Sequence, residues 1–149
     1  MNHTIISENS FEKARNEIRK NKSKAIIFSS DDDELNRKIL EKEKIDVLLL
    51  NLKGRKDFQK QRNSGFNQVL AKLAKKGDVI MGINLDEIIE SNEKTKAEIL
   101  ARARQNIKLC SKNKLRMKFI SNEKNKRNLH DLKALGLVLG MPTWMTKEL

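Results

Sequence analysis

The stretch KAIIFSSDDDELNRKILEKEKIDVLLL, residues 24–50, decides the fold. Its two ends, KAIIF at 24–28 and IDVLLL at 45–50, are apolar at consecutive positions. That is the pattern of strands buried on both faces, as in a parallel sheet covered by helices. The segment between them is polar and opens on Asp31, Asp32 and Asp33, whose charges offset a helix dipole. Asp31 and Glu34 form a capping-box pattern for a helix through Lys42, with Leu35 and Ile39 on its core face. Strand, helix and strand in this order give a right-handed parallel unit.

The same unit repeats outward in both directions. TII at 4–6 predicts a first strand, and residues 11–20, capped by Ser10, a helix with Phe11, Ala14 and Ile18 inward. Downstream, Ser64 is expected to cap a helix to Lys76, with Phe66, Val69, Leu70 and Leu73 as its stripe. Gly77 would end that helix as a left-handed residue. VIMGI at 79–83 predicts the fourth strand and residues 93–112 a long helix with Leu100, Ala103, Ile107 and Cys110 inward. RMKFIS at 116–121 is the fifth strand, and residues 128–139 the last helix, with Leu132, Leu135 and Leu139 inward and Pro142 as its stop. The expectation is one α/β domain over 1–149. Its five parallel βα units are too few for a full eight-fold barrel. They form either an open sheet or an incomplete TIM-barrel-like wall.

Charge is the second signal. Formal net charge is +12, and it is uneven. Residues 1–93 carry 18 basic and 16 acidic side chains, whereas residues 94–149 carry 14 and 4. Within 94–118 stand nine Lys or Arg and one acid, Glu98. A basic patch confined to part of a domain points to phosphate. On the 93–112 helix, Arg102, Arg104, Lys108 and Lys112 are expected on the exposed arc. Arg116 and Lys118 continue the basic run into the fifth strand. The loop GRKDFQKQRNSGFNQ, 54–68, adds Arg55, Lys56, Lys60 and Arg62 and opens onto a helix N-terminus at Ser64–Gly65, where free N–H groups favour an anion. With five Phe, one Trp and no Tyr, contacts to backbone and shape are expected rather than base stacking. No apolar run approaches the ~20 residues of a membrane span. A secretory pattern is missing from MNHTIISENS, and Cys110 is the lone cysteine, so an intracellular, cytoplasmic protein is expected.

Enzyme signatures are weak. His3 and His130 lack ligand spacing. There is no Walker loop, Gly-x-Ser-x-Gly elbow or Gly-x-Gly-x-x-Gly turn. Asp46 and Asp86 are the best carboxylate candidates.

Several segments, taken in order, carry a family resemblance. RNSGFNQVLAKLAKKGDVIMGINLDEII (62–89), ELNRKILEKEKIDVLLL (34–50), and KFIS (118–121) followed by RNLHDLKALGLVLGM (127–141) resemble motifs of the archaeal and eukaryotic ribonuclease P protein component 3 family. The resemblance spans about 24–142, with Gln68 where many members carry His and His130 where an Arg is common. It implies a partly or fully closed TIM-like barrel and membership of ribonuclease P, which removes 5′ leaders from precursor tRNA. It implies that the RNA subunit is the catalyst, so no catalytic residue is expected in this chain. Mg2+ is expected on the RNA and no cofactor on the protein. Expected partners are ribonuclease P RNA, precursor tRNA, protein component 2 and other ribonuclease P proteins, with no membrane. The resemblance also marks Arg37, Arg62, Lys72 and Arg127 as functional basic positions. With the charge reading, the residues assigned to RNA are Arg37, Arg55, Arg62, Lys72, Arg102, Arg104, Lys108, Arg116, Lys118 and Arg127. Two rival readings stand beside this one. One is a metal-dependent barrel phosphoesterase using Asp46, Asp86 and His130. The other is a general RNA-binding module outside ribonuclease P.

Overall fold

Apolar runs of four or five residues become strands, and the segments between them fold back as helices. A computed structural model describes residues 3–149 of the expected 1–149 domain. The strands are β1 (His3–Ile6), β2 (Ala25–Ser29), β3 (Val47–Leu50), β4 (Ile80–Asn84) and β5 (Met117–Ile120). The helices are α1 (Phe11–Lys20), α2 (Asp33–Lys42), α3 (Gln68–Lys76), α4 (Leu85–Glu90), α5 (Glu93–Lys112), α6 (Leu129–Leu139) and α7 (Thr143–Lys147). A 3-10 turn at Glu123–Asn125 follows β5. All strand pairs are parallel, in the order β1-β2-β3-β4-β5.

That order has one spatial consequence. Right-handed crossovers between neighbouring strands place every helix on the same side of the sheet. The core confirms it. Ile26, Phe28, Leu48, Leu50, Met81, Ile83 and Met117 pack with helix residues such as Ala14, Ile39, Ala71, Ile99 and Ile107. The alternate strand positions Ile27, Val47 and Leu49, with Ile80 and Ile120, form a separate small cluster on the other side. This is an α/β fold with an open five-stranded sheet, the layout of an incomplete TIM-like barrel wall. On the open side, Leu49 and Val47 lean over Gly82. A Cβ there would lie 3.1 Å from Leu49 Cδ1 and from Val47 Cγ1. Ile5, on the β1 edge and in register with Ile27, is half exposed.

Several local expectations shift. The cap of α2 is Asp32, whose Oδ1 accepts from the Glu34 and Leu35 amides at 3.0 and 3.4 Å. Asp31 instead accepts from Asn51 Nδ2 at 3.2 Å. Asn67, not Ser64, caps α3. Val69 consequently falls on the outer face, 51 % exposed, and Ala71 and Ala74 are buried in its place. Gly77 has an ordinary φ of −87, and the left-handed residue is Asp78 at +52. Two short helices were not anticipated. α4 is capped by Asn84, and α7 starts directly after Pro142. The bounds of α5 match expectation, but its buried face is Ile99, Arg102, Ala103, Asn106, Ile107 and Cys110, with Leu100 half-buried at the margin. On α6 only Leu139 of the expected three is fully buried.

Candidate nucleic-acid interface

The loop between β3 and α3 and the helix α5 were both expected to present cations. The structure shows that α5 holds the loop from beneath. Arg102, 3 % exposed, donates through Nη1 to Leu52 O at 3.0 Å and through Nη2 to Arg55 O at 2.7 Å. The same Nη2 reaches Asp57 Oδ1 at 3.1 Å. One turn on, Gln105 Nε2 donates to Arg62 O and Ser64 Oγ, and Asn106 Nδ2 to Ser64 O. An irregular segment buries backbone carbonyls only if something donates to them. Arg102, Gln105 and Asn106 are those donors. Placing Arg102 on the exposed arc is therefore corrected: it is an internal strut, shielded from any external phosphate.

Arg55 is corrected in the same way. Its side chain is 9 % exposed and forms a two-pronged pair with Asp33 at 2.9 and 3.1 Å. Nε donates to Asn51 O at 2.6 Å and Nη1 to Asn63 Oδ1 at 3.3 Å. The guanidinium lies against Gly65, whose φ is +71 and whose missing Cβ would sit 2.5 Å from Arg55 Nη2. Asp57 is held below the usual carboxylate range, chiefly by the Asn63 amide and next by Arg102. The expected helix N-terminus at Ser64–Gly65 is not there, because α3 begins at Gln68.

Fastened in this way, the loop shows its other cations outward. Lys56, Lys60 and Arg62 are exposed. Arg62 and Arg37 line one hollow of about 370 Å3 with Asp33, Glu34, Phe58 and Asn63. Arg37 also pairs with Glu41 at 3.1 Å. Next to it, a groove of about 630 Å3 between α3 and α5 has Phe66 and Leu109 in its floor and Gln61, Gln68, Gln105, Lys108 and Lys112 along its walls. Gln68 also makes a reciprocal amide pair with Asn113 at 2.9 and 3.0 Å, tying the start of α3 to the end of α5. Arg104 and Lys108 are exposed and share a further hollow beside Leu139 and Gly140. Lys72 is exposed on α3. The remaining three expected positions lie elsewhere. Arg116 precedes β5 and reaches Asp78 at 3.4 Å. Lys118 lies on β5 in register with Gly82, and Arg127 is exposed ahead of α6. The structure thus brings Arg37 and Arg62 to one hollow beside the loop and Arg104 and Lys108 to another on α5. It does not bring all ten together.

The carboxylates at the strand C-termini are engaged in structure. Asp86 accepts from the Asn122 amide and from Asn125 Nδ2 at 2.8 Å. Glu87 accepts from the Leu52 amide at 2.9 Å, and burial pushes its pKa up. Asp46 lies at the opposite end of the sheet, accepting from the Ile26 amide at 2.7 Å. The trio Asp46, Asp86 and His130 is therefore not a single site. Among the described residues no group of three or more His, Cys, Asp or Glu stands in metal-ligand geometry. Burial drives the Cys110 thiol far up, which leaves it an unreactive core residue. Among the described residues no helix is long and apolar enough to cross a membrane.

No family model matches the sequence. Among solved structures, the fold is similar to a chain in a cryo-EM structure of archaeal ribonuclease P with mature tRNA. The TM-score is 0.81 at 25% identity, over 97% of this chain and 62% of that one. The chain thus spans less than two thirds of that neighbour's length. It is also similar to an uncharacterized protein solved by crystallography, with a TM-score of 0.59 at 10% identity over 98% of this chain and 43% of that one. The second likeness concerns the fold alone.

Proposed function

We propose that this chain is a protein subunit of a ribonuclease P. The observation that carries this reading is the likeness along 97% of the chain to a component of an archaeal ribonuclease P structure. In this reading the chain acts in the cytoplasm and binds and stabilises the catalytic RNA, together with protein component 2 and other ribonuclease P proteins. The RNA, with its own Mg2+, removes the 5′ leader of precursor tRNA. The protein supplies no acid or base of its own.

What it supplies is positive charge at fixed positions. Arg62, Arg104 and Lys108 stand on a loop and a helix locked together by Arg102, Gln105 and Asn106. Cations on a rigid frame lose less freedom on meeting phosphate than cations on a mobile tail. Each one that meets a phosphate releases condensed counterions, so the affinity should be steeply salt-dependent.

The test is recovery of the tagged protein from its native cell, followed by sequencing of the bound RNA. Ribonuclease P RNA should dominate, with precursor tRNA enriched. A bound fraction of unrelated transcripts would favour the general RNA-binding reading, and a fraction free of RNA would refute both.

A further inference from the structure

Every helix in a run of βα units returns the chain to the strand N-termini. The helix-to-strand connectors therefore collect at one end of the sheet, and the last of them starts at Asn113, which also pairs with Gln68 behind the β3–α3 loop. Because the strands stand in sequence order, the connectors also lie side by side in that order. Residues 19–24 hold Arg19, Lys20, Lys22 and Lys24 and no acid. Residues 42–46 hold Lys42 and Lys44 with Glu43 and Asp46, and residues 75–79 hold Lys75 and Lys76 with Asp78. Residues 113–116 add Lys114 and Arg116. At 8–10 Å between neighbouring helices, the four connectors form a basic rim roughly 25–30 Å long.

The three acids on this rim are already occupied. Glu43, with 8% of its side chain exposed, lies 2.9 Å from Arg15 Nε and 3.6 Å from Arg19 Nη2. Asp46 accepts the Ile26 amide, and Asp78 faces Arg116. Lys22, Lys24, Lys44 and Lys76 are exposed and take part in no ion pair among the described residues. Helix dipoles favour Lys20, Lys42, Lys75 and Lys76, which stand in last helical turns. They do not account for Lys22, Lys24, Lys44 and Lys114, which lie outside the helices.

The rim is also shaped. One hollow of about 930 Å3 is lined by Arg19, Lys22, Lys24, Lys42 and Lys44, with Glu43 and Asp46 among them, around Ile18, Ala25 and Ile26. A second, of about 640 Å3, is lined by Lys42, Lys44 and Lys76 with Glu41 and Glu43, over Leu40, Ile45 and Val79; Glu41 pairs with Arg37 and Glu43 with Arg15. The 42–44 connector is the ridge between them. Buried apolar groups lie within both hollows, and cations outnumber acids in both linings. A membrane surface would need the reverse, with projecting apolar anchors.

We propose that this end of the sheet is a second RNA-binding face, gripping sugar–phosphate backbone across the connectors. The inference rests on the reading that the partner is RNA, and adds a surface at the strand N-termini to the one built by α5 and its loop. The protein would then bridge two RNA segments rather than sit against one.

The test compares two variants with the parent, using ribonuclease P RNA transcribed from the same genome, across a salt series. One variant carries Lys22→Gln, Lys24→Gln, Lys44→Gln and Lys76→Gln. The other carries Arg62→Gln, Arg104→Gln and Lys108→Gln. The rim variant should melt like the parent, and its slope of log K against log salt should be shallower by about 3. A rim variant with the parent's affinity and slope would overturn the second face, and if the Arg62 variant weakens at the same time, the ribonuclease P reading stands. A parent that does not bind the RNA overturns both. A rim variant that binds RNA normally but no longer retains an acidic protein partner overturns it too, and assigns the rim to that protein.

Discussion

Replacing Arg102 by Met separates an internal strut from a surface contact. Met keeps helix propensity and most of the aliphatic stem, so the change removes the guanidinium alone. Two buried carbonyls, Leu52 O and Arg55 O, then lose donors at 3.0 and 2.7 Å. A hydrogen bond from a charged donor contributes about 1.5 kcal/mol or more, so the two together give about 3 kcal/mol. Removing a buried charge from a nearly closed site offsets part of this. The solvent-facing contact to Asp57 adds little. The expected loss is about 2 to 3 kcal/mol, a fall in Tm of roughly 5 to 10 °C for a chain of this size. Urea and thermal denaturation followed by circular dichroism read both numbers. Arg104→Met, at an exposed position, should move stability by no more than ~0.5 kcal/mol. In the Arg102→Met protein the Asp57 pKa, followed by NMR, should rise but stay below the usual range, because the Asn63 amide is its main support. An Arg102→Met protein that melts with the parent yet binds RNA less well would refute the strut.

Three further outcomes follow from the same geometry. Gly65→Ala should destabilise by about 2 kcal/mol in urea, since φ is +71 and the new Cβ displaces the Arg55 guanidinium from Asp33; an unchanged midpoint would show that the guanidinium moves aside freely. Glu87 has its pKa raised above 4.5 by burial, so the native state binds its proton more tightly and stability declines as pH rises from there through the raised value. Glu87→Gln keeps an acceptor for the Leu52 amide, and should gain on the parent at neutral pH but not in acid below pH 4.5; a difference independent of pH would refute this assignment. Arg104→Gln with Lys108→Gln should leave the melting curve unchanged while lowering the salt slope of RNA binding by about 1.5 to 2, and a lowered Tm would make these side chains structural.

Much of the fold is written in local pattern. Strands buried on both faces leave continuous apolar runs, and KAIIF, IDVLLL and VIMGI are read almost to the residue. Caps were harder, because Asp31, Asp32 and Asp33 compete for one position and Ser64 and Asn67 for another; which one wins depends on where Asn51 and Gln105 reach. α4 is only six residues long, too short for a periodic signal, although Asn84 followed by Glu87 has the spacing of a capped start. The burial of Arg102 was in the periodicity all along. Anchored at Ile99 instead of Leu100, the stripe runs Ile99, Arg102, Ala103, Asn106, Ile107 and Cys110, at i, i+3, i+4, i+7, i+8 and i+11. Two polar members in such a stripe mark a place where backbone carbonyls need donors. What no pattern could give was which carbonyls, since they lie about 50 residues away on a loop with no regular structure. The rim at the strand N-termini was invisible for another reason. Most of its cations are scattered through the charge-balanced first part of the chain, and they meet one another and Lys114 and Arg116 only once the connectors align.

The sequential strand order also bears on how the chain folds. Each strand pairs only with its neighbours in sequence, through registers such as Ile27 with Val47, Val47 with Ile80 and Met81 with Met117. β1 and β5 are the two sheet edges, so the described fold contains no pairing that joins the chain's first strand to its last. Contact order is low for a parallel sheet, and loop closure is paid for one βα unit at a time. The protein can assemble progressively from the N-terminal side as it leaves the ribosome. β1, α1, β2 and α2 bring together the Arg19–Lys24 and Lys42–Lys44 connectors before residue 50 has been followed by the rest of the chain. Two of the four basic connectors are thus in place early, while α5 and the loop it braces are still to come.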